Sequence, residues 1–263
     1  MLPRCNVCGG LLARAEAEFG EARCQQCCAE EPAFARAVNY GAHTGALRQL
    51  IHLLKYERVR PAARVLGRLT AEACLQLEGD IDVAELLLIP VPAHKSRLRS
   101  RGFNQAELIA RAAHRGIEEA IGRRLTLDVT ALLRTRFAES QVALTAEARR
   151  QQIRGAFRVT DRGRVKGREV LLIDDVLTTG ATASECAREL RAAGATRVWV
   201  ATAARALNRI AQESVADSVP FAIASSQSFG PAAREASFFG RHGITTSIDE
   251  QGAGWTRARA RLL

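Results

Sequence analysis

Two segments in the N-terminal half carry apolar residues at the spacing of an amphipathic helix. Between residues 44 and 57 the apolar positions follow i, i+3, i+4 and i+7, namely Leu47, Leu50, Ile51 and Leu54. Pro61 suits the first turn of a second helix, which we expect to end near Leu77. Its inward-facing positions are predicted to be Ala62, Val65, Leu66, Leu69 and Ala73. Both patterns therefore predict helices that pack one face on a core.

Three apolar runs, at residues 85–92, 169–176 and 196–205, are too short for helices and predict buried strands. After the first run, Asn104 and Glu107 resemble a capping box and predict the start of a helix. Between the second and third, a helical pattern ends at Gly194. Strand, helix and strand in this order indicate a right-handed crossover, so we predict an α/β fold with a parallel sheet flanked by helices.

The composition narrows the class of protein but does not indicate a function. The chain of 263 residues is 47% apolar and 25% charged, as in soluble globular proteins. Its longest apolar runs fall short of the roughly 20 residues of a membrane helix, and its first residues lack the pattern of a secretory signal. We therefore expect a cytoplasmic protein without membrane insertion.

The net charge of +10 favours a polyanionic partner such as nucleic acid or a phosphate ester. However, only three of the 38 basic residues are lysines, and this arginine excess can equally reflect a GC-rich genome. Aromatic residues make up only 5%, fewer than a stacking platform for single-stranded nucleic acid would need.

Five of the seven cysteines lie in the first 28 residues. Cys5 with Cys8 and Cys24 with Cys27 form two C-x2-C pairs, the spacing of a structural zinc site with four thiolates. Cys28 could replace Cys27 as the fourth ligand. Disulfides are the alternative interpretation, but a reducing cytoplasm disfavours them. We expect this module to have a core of its own, so that the remaining chain folds without zinc.

The most informative segment joins the second predicted strand to its helix. Asp174 and Asp175 lie at the carboxyl end of the strand, where α/β folds bind ligands, and adjacent strand positions point to opposite faces. A loop then opens the helix and offers backbone N–H groups to an anion, with the sequence Thr178, Thr179, Gly180, Ala181 and Thr182. An anion cradle beside two carboxylates suggests a sugar phosphate.

This segment resembles the fingerprint of type I phosphoribosyltransferases, which is an apolar strand, two acids and a T-T-G-x-T-like loop. The cysteine-rich start, L-I-H-L-L-K-Y at 50–56, I-P-V-P at 89–92 and R-L-R-S-R-G-F-N-Q-A at 97–106 narrow the resemblance to the ComF family. These are competence-associated proteins that join a zinc ribbon to a phosphoribosyltransferase domain. The resemblance predicts a ribbon at 1–35, a phosphoribosyltransferase-like domain at 36–205 and a partly disordered extension at 206–263.

The resemblance also implies roles for the residues of the site. The loop at 178–182 would hold the 5-phosphate of phosphoribosyl pyrophosphate (PRPP), with Mg²⁺ on the ligand, and Asp174 and Asp175 would contact the ribose as catalytic residues. A loop after I-P-V-P would bind pyrophosphate through Lys95, Arg97, Arg99 and Arg101. The alternative interpretation of that loop is a solvated basic segment.

Residues 134–150 lie where the family has its mobile flap, and Gln141, Leu144 and Arg149 or Arg150 fit its pattern. Gln152 stands where that pattern usually has Asn. The helices at 44–78 would take the place of the hood that reads the acceptor.

The function implied is displacement of pyrophosphate from C1 of PRPP, in a protein linked to DNA uptake. The sequence names no acceptor. Three alternatives stay open: a non-catalytic PRPP sensor, a single-stranded-DNA-binding component of the uptake machinery, and a nucleobase-salvage phosphoribosyltransferase.

Overall fold

The computed structural model describes residues 3–12, 22–136 and 151–207. Residues 137–150 of the predicted flap, with Gln141, Leu144, Arg149 and Arg150, lie outside the described residues. The predicted extension lies outside them from residue 208 onward.

A five-stranded parallel sheet is the centre of the fold, with the order β1-β7-β6-β2-β3. Its strands are β1 Arg36–Ala42, β2 Leu86–Pro90, β3 Thr126–Leu127, β6 Glu169–Leu177 and β7 Arg197–Arg205. A separate antiparallel pair consists of β4 Leu132–Arg134 and β5 Phe157–Val159. The three predicted strands are confirmed as β2, β6 and β7, and so is the parallel α/β sheet.

The helices of the described residues surround this sheet. The α-helices are α1 Gln25–Ala29, α2 Gly45–Lys55, α3 Ala62–Cys74, α4 Lys95–Arg101, α5 Gln105–Ile121 and α6 Ala181–Ala192. Short 3-10 turns lie at Leu75–Leu77, Val83–Glu85 and Arg162–Arg164. None of the described helices is long and apolar enough to cross a membrane.

Both amphipathic helices of the N-terminal half are confirmed as α2 and α3, with one error. Val65 was predicted to face inward, but it is 48% exposed. The buried side of α3 includes Ala63 and Gly67, which are small enough to approach α5 closely. A Cβ added at Gly67 would lie only 2.3 Å from the Cβ of Ala112, so backbone proximity sets this face.

The basic segment after β2 was predicted to be a loop, but it forms helix α4. His94 caps its start by accepting a hydrogen bond from the backbone N–H of Ser96, and Gly102 ends it at φ +81°. The prediction was wrong because basic residues dominate this segment, so it carries no apolar stripe that would indicate a helix. Asn104 caps the following helix as predicted, although Glu107 pairs with Arg111.

Each face of the sheet is covered by different elements. Helices α2, α3 and α5 pack on one face, while α6 and the cysteine module, residues 3–12 and 22–35, pack on the other. Cys5, Cys8, Cys24 and Cys27 belong to the same apolar cluster as sheet residues such as Leu172 and Val198. The expectation of a separate core for this module is therefore wrong.

Candidate functional site

The four paired cysteines converge on one buried point. Their Sγ atoms all lie within 4.8 Å of one another, and all four residues are buried. The N–H of Cys24 donates to Cys5 Sγ at 3.3 Å, and Arg205 Nη2 donates to Cys8 Sγ at 3.6 Å. The structure brings Cys27 into this cluster, whereas Cys28 is exposed. The cluster could bind a metal ion.

Because the four thiols lie so close together, their pKa values shift in different directions. A hydrogen bond with Cys24 lowers the pKa of Cys5, whereas hydrogen bonding with Cys24 raises the pKa of Cys27. Four thiolates at this spacing repel one another, so a divalent cation is the partner that would let all four ionise.

The two acids at the end of β6 have different surroundings. Asp175 is 3% exposed, and Lys55 Nζ lies 2.8 Å from its Oδ2. This ion pair lacks hydrogen-bond alignment, and Oδ2 accepts no hydrogen bond from the described residues. Asp174 is half-buried and accepts a hydrogen bond from the N–H of Asp175 at 2.8 Å. A ligand at the end of β6 would therefore reach Asp174 more easily than Asp175.

Desolvation governs the charge of Asp174. Burial, followed by the neighbouring carboxylate of Asp175, raises its pKa to about 7, while Lys55 and Arg134 oppose the shift. Asp174 therefore gains most from a ligand that offers it hydrogen-bond donors or positive charge.

Helix α4 presents two of its four basic residues to the site side. Arg97 and Arg101 are half-buried, whereas Lys95 and Arg99 are exposed. The spacing of four residues places Arg97 and Arg101 on one side of the helix. Burial, followed by the charge of Arg97, lowers the pKa of both Arg101 and Arg134. The three guanidinium groups thus form a cationic cluster that an anion would stabilise.

The turn between α2 and α3 holds this helix. Arg58 Nη2 donates to the carbonyl of Ser100 at 2.6 Å. The guanidinium carbon of Arg101 lies 5.6 Å from the centre of the Tyr56 ring, and that of Arg60 lies 5.2 Å from the centre of the Phe103 ring.

The segment Thr178–Thr182, here called the phosphate loop, joins β6 to α6. Gly180 has φ +78° and caps α6. A Cβ added there would meet the ring of Phe34 at an ordinary 3.8 Å, so the left-handed backbone, and not lack of space, requires glycine. The phosphate loop thus opens onto the N-terminal end of a helix of 12 residues.

Strand order brings these parts to one edge of the sheet. Strands β2 and β6 are neighbours, with Pro90 opposite Ile173, and both end at that edge. Helix α4 follows β2, while the acids and the phosphate loop follow β6. The basic helix, the acids and the phosphate loop thus follow neighbouring strands at one edge of the sheet, and within α4 Arg97 and Arg101 are more buried than Lys95 and Arg99.

Comparison with known proteins adds the family. Residues 110–233 match the family described as phosphoribosyl transferase domain. The chain is 33% identical over 178 residues to DNA utilization protein YhgH of Escherichia coli O157:H7, covering 67% of this chain and 75% of that protein. It is 30% identical over 211 residues to Competence protein F of Haemophilus influenzae, and the match covers 78% of this chain and 85% of that protein. The chain belongs to the ComF family.

Within this ComF-family site, sequence reasoning missed three residues. Lys55 lies in the L-I-H-L-L-K-Y segment, yet its partner Asp175 lies on a distant strand. Arg134 was assigned to the flap, but burial and its neighbour Arg97 connect it to the cationic cluster. Arg205 ends β7 as a buried arginine, a type that is rarely buried without partners and so needs explanation.

Proposed function

We propose that this protein binds PRPP at the carboxyl ends of β2 and β6. The observation that carries the proposal is the phosphate loop beside Asp174 at the end of β6. The arginines of α4 follow the neighbouring strand, β2. PRPP has a phosphate at one end, hydroxyls in the middle and a diphosphate at the other end. An anion cradle, a carboxylate and a guanidinium cluster match these three parts in order.

The division of labour among the residues follows from charge. The phosphate loop takes the 5-phosphate through backbone N–H groups and the hydroxyls of its threonines. Asp174 accepts hydrogen bonds from the ribose hydroxyls. Arg97, Arg101 and Arg134 face the diphosphate, while Lys95 and Arg99 contribute a weaker, solvent-screened field.

Lys55 is a positioning residue for the acid pair. Its ammonium group lies 2.8 Å from Asp175 Oδ2 and compensates the charge of this buried carboxylate. Asp175 in turn helps to fix the end of β6, where its own backbone N–H donates to Asp174 Oδ1.

The two metal ions of the proposal have different settings. The four buried sulfurs suit Zn²⁺ in a closed structural site. Within the described part of the chain, these cysteines form the only group of three or more His, Cys, Asp or Glu side chains that lie close enough to hold one metal ion. Mg²⁺ would therefore enter with the phosphates of PRPP, close to Asp174, and would neutralise diphosphate charge.

If the protein catalyses transfer, an acceptor forms a bond to C1 as the bond from C1 to the diphosphate oxygen breaks. Pyrophosphate leaves with the bonding electrons, and positive charge develops on the ribose ring. Asp174 beside the ring would stabilise that charge. The arginines of α4 would stabilise the leaving group.

A role in DNA uptake is supported by the relatives' names, DNA utilization protein and Competence protein F, and by the net charge of +10. This role fits a cytoplasmic protein that uses PRPP as a substrate or as a signal. Binding of single-stranded DNA by the basic surface is the second candidate, and its mark would be a strong dependence on salt.

Calorimetry with PRPP and Mg²⁺ tests the proposal. Arg101→Gln should weaken PRPP binding about tenfold or more, since a hydrogen bond to a charged group is worth about 1.5–3 kcal/mol. Arg99→Gln, on the exposed side of the same helix, is the matched control and should bind within about threefold of the native chain. Absence of PRPP binding in the native chain would refute the proposal. Pyrophosphate release then separates the enzyme from a sensor, which binds without releasing it.

A further inference from the structure

The cysteine module contacts the phosphate loop and the start of α6 directly. Gln26, between Cys24 and Cys27, donates through Nε2 to the carbonyl of Thr179 at 2.7 Å. The N–H of Ala33 donates to Ser184 Oγ at 3.0 Å, in the first turns of α6. Residues of both segments, among them Gln26 and Thr179, also line a cavity of about 290 Å³.

Arg205 makes the second connection. Its Nη1 donates to the carbonyls of Leu177 and Thr178, the former at 2.9 Å. The same guanidinium reaches the cysteine module, where Nε donates to the carbonyl of Cys8 at 3.3 Å and Nη2 to its sulfur. Arg205 is only 8% exposed, so water competes little for these bonds.

Three consecutive carbonyls, of Leu177, Thr178 and Thr179, are thus held by side chains anchored at the cysteines. In a planar trans peptide the C=O of one residue and the N–H of the next point in opposite directions. Fixing these carbonyls toward the cysteine module therefore turns the next N–H groups, of Thr178, Thr179 and Gly180, away from it. These N–H groups belong to the phosphate loop, the anion cradle of the site.

We propose that Gln26 and Arg205 are positioning residues that link the cysteine metal site to the phosphate loop. A metal ion at the cysteines fixes the positions of α1 and Cys8. Gln26, on α1, and Arg205, bonded to Cys8, then orient the N–H groups that receive the phosphate. By thermodynamic linkage, a phosphate ligand must strengthen metal binding by the same factor by which the metal strengthens phosphate binding. This inference rests on the proposed function, since it requires a phosphate at the loop.

The first test uses calorimetry on the zinc-loaded full chain, with ribose 5-phosphate and with pyrophosphate as separate probes. Gln26→Met keeps the length of the side chain but removes the N–H donor, and it should weaken ribose 5-phosphate about tenfold. Pyrophosphate binds at α4 and should bind as in the native chain. Gln25→Met, an exposed neighbour of the same type, is the matched control and should leave both affinities unchanged.

The second test measures the coupling between the two sites directly. Competition with a chromophoric chelator measures the zinc affinity of the native chain with and without saturating ribose 5-phosphate. The ligand should tighten zinc binding by about fivefold or more, and this factor should shrink in Gln26→Met.

The outcomes separate the two proposals. If the native chain binds neither ribose 5-phosphate nor PRPP, the proposed function fails and this inference fails with it. If the ligands bind, but they do not change the zinc affinity and Gln26→Met binds ribose 5-phosphate normally, only the coupling is refuted. Equal loss of both probes in Gln26→Met would show general damage and would also refute it.

Discussion

The phosphate loop and helix α4 follow neighbouring strands, but they are supported in different ways. The loop is held by the buried Arg205, which is 8% exposed, and by the half-buried Gln26 of the cysteine module. Exposed contacts hold α4, through the bond of Arg58 to Ser100 and the contact of Arg101 with Tyr56, which is 65% exposed. Buried hydrogen bonds resist exchange with water, whereas exposed ones open readily. In the proposed PRPP site, the half that would take the 5-phosphate is therefore preformed, and the half that would take the diphosphate can adapt.

The largest expected effect comes from removing the buried support. Arg205→Met removes a buried guanidinium group that donates to the carbonyls of Leu177, Thr178 and Cys8, so we expect a loss of about 3–5 kcal/mol in unfolding free energy. Urea denaturation measures it, with Arg197→Met at the exposed start of the same strand as control. A loss below about 1 kcal/mol would mean that the loop is no better supported than α4.

A second effect concerns Asp174, which lies between the two halves. Its folded pKa of about 7 lies above the ordinary value of 3.8, so the folded protein binds this proton more tightly than the unfolded chain. Stability therefore falls as the pH rises from about 4 to about 7. Asp174→Asn should remove that slope and gain about 2 kcal/mol at pH 8, with little change near pH 3. Unfolding curves across this range check it, and a parallel slope in the variant would contradict it.

A matched pair of glycines compares the two halves directly. Gly180 in the phosphate loop and Gly102 at the end of α4 have φ of +78° and +81°, and neither faces a steric clash. Gly180→Ala and Gly102→Ala should each cost about 1–2 kcal/mol of stability. Only Gly180→Ala should weaken ribose 5-phosphate in calorimetry. Equal effects on that ligand would show that the loop backbone has no special role.

The smallest effect is expected at the exposed support of α4. Arg58→Ala removes one hydrogen bond to Ser100 and should cost less than about 1 kcal/mol in unfolding free energy. Pyrophosphate should bind about two- to threefold more weakly, and ribose 5-phosphate should bind normally. Arg68→Ala on the exposed side of α3 is the control. A loss as large as that of Arg205→Met would remove the distinction between the two halves.

Periodicity predicted the elements that have a clear apolar stripe, and it missed those that do not. Strand β1 contains Asn39, which is only 1% exposed. A polar residue at this position does not indicate a buried strand in the sequence, because its hydrogen-bond partners, Thr202 and Cys8, lie on other segments. Helix α4 lacks an apolar stripe. The cysteine pairs, the acids and the phosphate loop were found because spacing along the chain carries their chemistry.

Contacts between distant segments could not be predicted in the same way. Arg205 and Cys8 are 197 residues apart, and no local pattern indicates that they meet. The pairing of Lys55 with Asp175 likewise depends on how α2 packs against the sheet. For the same reason a separate core was expected for the cysteine module, although its apolar residues complete one face of the sheet.

The most direct test of the account is a crystal structure of the protein with PRPP and Mg²⁺. We expect the 5-phosphate to lie on the N–H groups of Thr178, Thr179 and Gly180, with that loop in its present conformation. We expect the diphosphate to lie on Arg97 and Arg101, with side chains of α4 rearranged around it. PRPP bound in the opposite direction, or away from the ends of β2 and β6, would contradict the account.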